Sequence, residues 1–197
     1  MTRGAKEHIR VFYSSLSEDR VLDVLSILIA AKYEAPIGRP RLARLLGIGE
    51  RRIRNLINLL KKRGFISQTR GGIMLSTSGL RLLEDVYFNE TTRGFTCCLL
   101  AGGEFTSIVR ENVVSIRDWI TISLADPQAL ILIAILEDVL YAPGVPGRVL
   151  QHYLEEFNGC NSRPGAAALF EKPKCYRCCA ALVHAVLKAS SLIANSF

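Results

Sequence analysis

The chain has 197 residues, 49% of them hydrophobic, and 25 basic against 18 acidic side chains give it a formal charge of +7. That length suits one large or two small domains, each with a core of its own. Its most apolar run, residues 129–136, is bounded by Gln128 and Glu137 and is too short for a bilayer, so no membrane span is expected. The opening MTRGAKEHIRVFYSS lacks the apolar segment of a signal peptide, and a cytoplasmic protein is expected. Cytoplasmic cysteines are usually reduced thiols or metal ligands, although hyperthermophiles also use intracellular disulfides.

The charge is unevenly placed. Up to Phe95 there are 17 basic and 9 acidic residues, a net +8, and the remaining 8 basic and 9 acidic residues give −1. A basic domain joined to a near-neutral one points to a polyanion binder carrying a second function, and nucleic acid is the first polyanion to consider. The expected division is an N-terminal arm over 1–16, a DNA-binding domain over 17–92 and an α+β domain over 95–197.

Taken in order, residues 1–16 show no clean period and read as an arm or a short extra helix. Ser17 can cap a helix that has Glu18 and Asp19 in its first turn, a stripe of Val21, Leu22, Leu25, Leu28 and Ile29, and an end near Lys32. Residues 36–39 can pair as a small strand. A second helix runs from Pro40 to Leu46 with Leu42, Leu45 and Leu46 inward, and Gly47 ends it. Glu50 opens a third helix in which Ile53, Leu56, Ile57 and Leu60 repeat at helical spacing. Its other face is Arg51, Arg52, Arg54, Asn55, Asn58, Lys61 and Lys62. Residues 65–69 and 73–76 then read as two strands joined across Arg70, Gly71 and Gly72, a wing. A further helix is expected from Ser78 to about Asn89, with a linker at Thr91, Thr92 and Gly94.

The second half reads as a strand over 95–100, a helix over 113–124, strands over 129–135 and 139–142, a helix over 149–157, a strand over 166–170 and an apolar helix over 175–194. This is β-α-β-β-α-β plus a helix, the order of a ferredoxin-like α+β sandwich. The apolar helix over 180–193 is the candidate interface of a homodimer.

A helix shaped like the third fits the DNA major groove, where arginine can address guanine and asparagine adenine, so Arg51, Arg52, Asn55 and Asn58 are the candidate base readers. Lys61, Lys62, Arg39, Arg41 and Arg44 are placed for phosphates, Arg54 belongs to the same face, and Arg70 at the wing tip would enter a minor groove. The motif run PIGRPRLARLLGIGERRIRNLINLLKKRGFISQTRGGIMLSTSG, within residues 20–88, resembles the winged-helix heads of prokaryotic transcription regulators. It is most similar to the DNA-binding domain of the central glycolytic gene regulator (SorC) family: an IGR, a leucine helix, an LG turn, an arginine-bearing helix, a glycine wing and T-x-x-G. The whole layout also resembles an uncharacterised archaeal winged-helix family with a C-terminal domain of unknown function. The resemblance implies a DNA-binding transcription regulator, with double-stranded DNA as partner and a dimer reading two half-sites. An RNA-associated factor and a winged-helix protein-interaction module are the alternatives. Gly49 departs from the Ser or Thr usual before the recognition helix, a weakening of the cap by a few tenths of a kcal/mol. The sugar-phosphate-binding domain of the glycolytic regulators is much larger than the second half of this chain, so its effector chemistry does not carry over. The C-terminal domain is expected to sense a small-molecule effector, to dimerise, or both.

The other chemistry-bearing residues are cysteines and a histidine. Cys175-x-x-Cys178 is half of a zinc site by spacing, and Cys160 with His184 would complete a tetrahedral set. A second closely spaced pair is missing, so buried thiols, or a disulfide from Cys160 to one of the three later cysteines, are the preferred reading. Cys97 and Cys98 point to opposite faces of a strand and read as small core residues. His152 reads as a surface residue, Gly102 and Gly103 as a plain turn, and Arg117 and Asp118 as a local ion pair or a pocket lining. No nucleophile motif, Walker sequence or carboxylate pair is present, so neither an enzyme nor a cofactor is expected.

Overall fold

The computed structural model describes residue 9, residues 11–160 and residues 163–194. The chain divides into two compact units, Met1–Glu84 and Asp85–Phe197. Among the described residues, no helix is long and apolar enough to cross a membrane.

The first unit is built on α1 (Glu18–Glu34), which buries Val21, Val24, Leu25, Ile27, Leu28 and Ile29 and is therefore enclosed on most of its circumference. That is broader than the single stripe its sequence suggests, and the Ser26 hydroxyl reaches the Leu22 carbonyl within the helix at 2.7 Å. Ser17 holds the cap position with Glu18 and Asp19 after it, although its hydroxyl makes no capping bond. Helices α2 (Arg39–Leu46) and α3 (Glu50–Lys62) pack on α1 through Leu42, Ala43 and Leu46 and through Ile53, Leu56, Ile57 and Leu60. Between them Gly47 adopts φ +64°, the left-handed conformation that closes a helix and returns the N–H to the carbonyls of the last turn.

Strands β1 (Ile66–Thr69) and β2 (Gly72–Leu75) form an antiparallel hairpin, where the sequence led us to expect a wing. Ile37 bridges Ile73 with two backbone hydrogen bonds, 3.1 and 2.9 Å, so the 36–39 segment pairs as its sequence suggests. Ser76 then caps α4 (Thr77–Leu82) by accepting the Gly79 N–H at 3.1 Å. Lys32 at the end of α1 donates to the Leu83 carbonyl at 2.8 Å and ties α1 to the segment that follows α4. Of the expected arm, residues 1–8 and 10 lie outside the described residues; residues 11–14 are helical and belong to the unit. Phe12 is buried against Phe65 with ring centroids 4.7 Å apart, which is why this segment is packed rather than trailing.

Two expectations about the helix after the wing need correction. It ends at Leu82, and residues Val86–Glu90 form a strand, β3, that pairs with β4 (Thr96–Ala101) in the second unit. The boundary accordingly falls after Glu84 and not in the 91–94 stretch. The helical spacing of Leu80, Leu83 and Val86 hid the strand, but Val86, Tyr87 and Phe88 are types that suit a pleated surface, and the sheet supplied partners for them.

The second unit continues with α5 (Gly103–Leu124), β5 (Leu130–Leu136), α6 (Gly147–Asn158), β6 (Gly165–Phe170) and α7 (Tyr176–Ala194). The sheet order is β3-β4-β6-β5 and every neighbouring pair is antiparallel. This is an α+β unit, but its β-β-α-β-α-β-α order differs from the ferredoxin-like one. Residues 139–142 are not a strand: they contribute one bridge, Tyr141 to Ile135, and Val139 and Tyr141 are 77% and 50% exposed. Helix α5 also begins ten residues before the expected 113, because a kink at Asn112 breaks its apolar phase; the Asn112 amide donates to the Ile108 carbonyl at 3.0 Å.

Both faces of this sheet are covered. Helices α5 and α7 lie on one, where Phe88 stacks on Tyr176 at 4.5 Å. The other carries Cys97, Leu99, Leu132 and Leu169 beneath Leu150, Tyr153 and Phe157 of α6. Strands β4 and β6 are buried at every position, and the alanine-rich GAAALF of β6 lets both layers approach closely. A disulfide joins Cys97 to Cys160, and another joins Cys175 to Cys178. The expected partners of Cys160 were the three later cysteines; Cys97 takes it instead, because its side chain faces the layer that holds Cys160. The apolar helix expected to form a dimer interface is core, with residues 180–187 of α7 buried in the unit.

Gly72 has φ +139°, and a Cβ there would strike the Ile37 carbonyl and the Gly38 nitrogen. Gly72→Ala is expected to cost about 1–3 kcal/mol, since it combines a strained backbone with a clash against backbone atoms. Denaturant unfolding measures it; a loss below about 0.5 kcal/mol would contradict the close approach of Ile37 to the hairpin.

Candidate nucleic-acid interface

Helix α3 is placed by its apolar side. Successive residues turn by about 100°, so Ile53, Leu56, Ile57 and Leu60 share one half of the helix and Arg51, Asn55, Asn58 and Lys62 form a stripe opposite them. All four residues of that stripe are exposed. Arg54 and Lys61 flank it on one side, Arg52 on the other. The helix has Glu50 in its first turn and Lys61 and Lys62 in its last, the arrangement that suits its dipole.

Arg52 is not available as a base reader in this conformation. Its Nε donates to Asp23 Oδ2 at 2.5 Å and one of its terminal nitrogens donates to the Asp19 carbonyl at 2.7 Å, both on α1. Asp23 is only 7% exposed, an acid within the apolar run VLDVLSILIA, and Arg52 places a compensating charge beside it. The pair orients α3 about its own axis. The signal that could have revealed it is Asp23 itself, a lone carboxylate inside VLDVLSILIA.

Arg41 is similarly engaged, donating to Glu34 Oε2 at 2.5 Å. Arg63, in the same basic run, donates to the Ser15 hydroxyl at 2.9 Å and anchors the N-terminal segment. The other cations named from the sequence, Arg39, Arg44, Arg51, Arg54, Lys61, Lys62 and Arg70, are exposed and make no side-chain hydrogen bond or ion pair among the described residues. Arg70 lies in the turn between β1 and β2, at the tip of the hairpin. The unit thus presents the α3 stripe, the outer surface of α2 and the hairpin tip as cationic surfaces. Opposing carboxylates are few there, and Asp23 and Glu34 are already occupied.

The second unit brings no comparable site together. Cys160, Cys175, Cys178 and His184 do not assemble as metal ligands, since the three cysteines are spent on disulfides, and no group able to hold a metal occurs among the described residues. His152 lies on the surface of α6, 3.2 Å from Arg93, which also pairs with the buried Glu156 at 3.4 Å. Gly102 is a turn, its N–H donating to the Pro164 carbonyl at 2.7 Å. Arg117 and Asp118 pair with each other at 3.0 Å and also line an open groove of about 590 Å³ between α5 and β5.

Because the Arg52–Asp23 pair is half exposed on the arginine side, its worth is modest. Asp23→Asn is expected to lower stability by about 1–2 kcal/mol, and a double-mutant cycle with Arg52→Ala should show coupling of about 1 kcal/mol. Additive effects would mean that the two side chains do not act together in solution.

Comparison with known proteins bears on the two units differently. The hypothetical protein PH0730 from Pyrococcus horikoshii OT3 is similar in structure, with a TM-score of 0.58 at 17% identity, over 87% of this chain and 94% of that one. At that identity the likeness is one of fold. No curated protein matches the chain. Residues 23–87 match the family model of the CggR N-terminal DNA binding domain, so α1 to the start of β3 resemble the DNA-binding domain of central glycolytic gene regulators, the family whose motifs that stretch carries.

Proposed function

We propose that the protein is a transcription regulator that places α3 in the major groove of duplex DNA. The observation that carries this reading is the exposed stripe of Arg51, Asn55, Asn58 and Lys62, opposite the buried face of a helix that falls within the matched DNA-binding domain. Arg51, Asn55 and Asn58 are the base readers, since guanidinium and carboxamide groups can make paired hydrogen bonds to guanine and adenine edges. Lys61, Lys62, Arg54, Arg44 and Arg39 take phosphates, and Arg70 at the wing tip follows the backbone into the adjacent minor groove. Arg41 joins them only by releasing Glu34. Arg52 acts as a positioning residue, holding the stripe at its angle through Asp23.

The second unit serves as the sensing or dimerising part, in a cytoplasmic regulator without enzymatic activity. One recognition helix covers a half-site, which favours a homodimer. With α7 in the core, the contact falls on another surface, and α5 offers the exposed Val114 and Ile122. The groove between α5 and β5 has apolar walls from Val113, Leu132, Pro143 and Val145 with the Arg117–Asp118 pair at its edge. Apolar walls with a few polar groups are what a small-molecule effector needs.

Selection of bound genomic fragments at physiological salt should enrich one motif. On that motif Arg51→Ala and Asn55→Ala are each expected to lose about 1–3 kcal/mol and to relax the preference at one base pair. Lys62→Ala should instead weaken all duplexes alike and lower the salt slope by about 1. Unchanged affinity in the first two variants, or structured RNA competing as well as duplex, would remove the duplex-reading assignment. Sedimentation should give a homodimer, and a monomer at concentrations that saturate the operator would remove that part.

A further inference from the structure

The six cysteines occupy three different settings. Cys97 and Cys160 are bonded across 63 residues and are 0% and 6% exposed, a cross-link inside the core. Cys98 and Cys179 are thiols buried against each other, and burial first, then the neighbouring thiol, pushes the Cys98 thiol well above its usual range. Neither setting gives a reagent access to sulfur. The Cys175–Cys178 bond is different on three counts.

It spans three residues, with Cα atoms 5.2 Å apart. A cross-link stabilises through the loop it closes, and this loop is too short to contribute much. The two residues are also unequal: Cys175 is half-buried while Cys178 is 0% exposed. Cys175 further sits at the cap of the 19-residue helix α7, where its Sγ accepts the Cys178 N–H at 3.2 Å and its carbonyl accepts the same N–H at 3.1 Å. A sulfur there has a backbone donor and the positive end of a long helix directed at it, which favours the thiolate that exchange chemistry requires.

The surrounding chain does not depend on the bond for its shape. The Cys175 N–H donates to the Thr96 hydroxyl at 3.0 Å, and that hydroxyl donates to the Lys172 carbonyl at 2.5 Å, so the turn before α7 is fastened to the first residue of β4. Tyr176 is held by its stacking on Phe88. The bond can therefore open with the turn and the helix in place.

We propose that Cys175–Cys178 is a thiol–disulfide exchange site, with Cys175 the sulfur that meets an external dithiol and Cys178 the resolving sulfur. A thiolate of the external dithiol attacks Cys175 Sγ, forming a mixed disulfide and releasing Cys178 as a thiolate that takes a proton. The second thiol of the reductant then attacks its own sulfur in the mixed disulfide. Cys175 leaves as a thiolate, the reductant closes to a cyclic disulfide, and two electrons have passed to the protein. In the reverse direction the Cys175 thiolate attacks an external disulfide and Cys178 closes the intramolecular bond.

The test treats the folded full chain with dihydrolipoamide in one arm and reduced thioredoxin in another, followed by thiol alkylation and peptide mapping, with circular dichroism recording the fold. Selective opening of Cys175–Cys178 while Cys97–Cys160 stays closed is expected in at least one arm, and a faster reaction with thioredoxin would mark a protein dithiol as the partner. Single-thiol variants give an independent reading. Cys175 in Cys178→Ser should react with an aromatic disulfide roughly tenfold faster than Cys178 in Cys175→Ser. The proposal is overturned if both disulfides open together only as the chain unfolds, or if the two single thiols react alike.

Discussion

What the recognition-type helix α3 presents to solvent depends on how it is seated against α1. Burial of Ile53, Leu56, Ile57 and Leu60 sets the distance, because these side chains fill one half of the helix and are nearly excluded from water. Apolar burial is not directional, however, and a helix on an apolar bed can still roll. The directional element is the Arg52 guanidinium held by Asp23 and the Asp19 carbonyl. A planar donor fixed at two points restrains rotation in a way that packing alone does not. The orientation of Arg51, Asn55 and Asn58 is set by it.

The β1–β2 hairpin depends on a second close approach. Ile37 can bridge Ile73 only because Gly72 has no Cβ to block the Ile37 carbonyl. The same two hydrogen bonds link the segment entering α2 to the hairpin after α3, so the unit is closed by backbone pairing as well as by its core. In the second unit the corresponding constraint is a sheet covered on both faces. Its central strands are buried at all positions, which removes the alternation that usually separates a strand from a helix.

Much of the first unit could be read from residue order. The apolar spacings of α1, α2 and α3, the glycine between β1 and β2, and the concentration of cations over residues 39–70 are local patterns, and local patterns survive in one dimension. What they could not show is which cations were already taken. Arg52 and Arg51 are adjacent and chemically identical, yet about 100° of helical rotation turns one toward Asp23 and the other toward solvent. Arg41 and Arg44 differ in the same way, through Glu34. The second unit was less legible, since Val86 continues a helical spacing although Val86–Glu90 is a sheet edge, and residues 139–142 look like a strand but have only Ile135 to bridge.

Sequence by itself determined the α+β class, the basic head with its buried and exposed faces, and the match to a DNA-binding domain, because each rests on spacing within a few turns of chain. Tertiary structure alone decided the partners that charged and sulfur-bearing groups find far along the chain. Asp23 finds Arg52 across 29 residues and Cys97 finds Cys160 across 63, while adjacent Cys98 faces the other way toward Cys179. Pairing of that kind is set by which face of a helix or strand each residue occupies once the layers close. No property of the intervening residues encodes it locally.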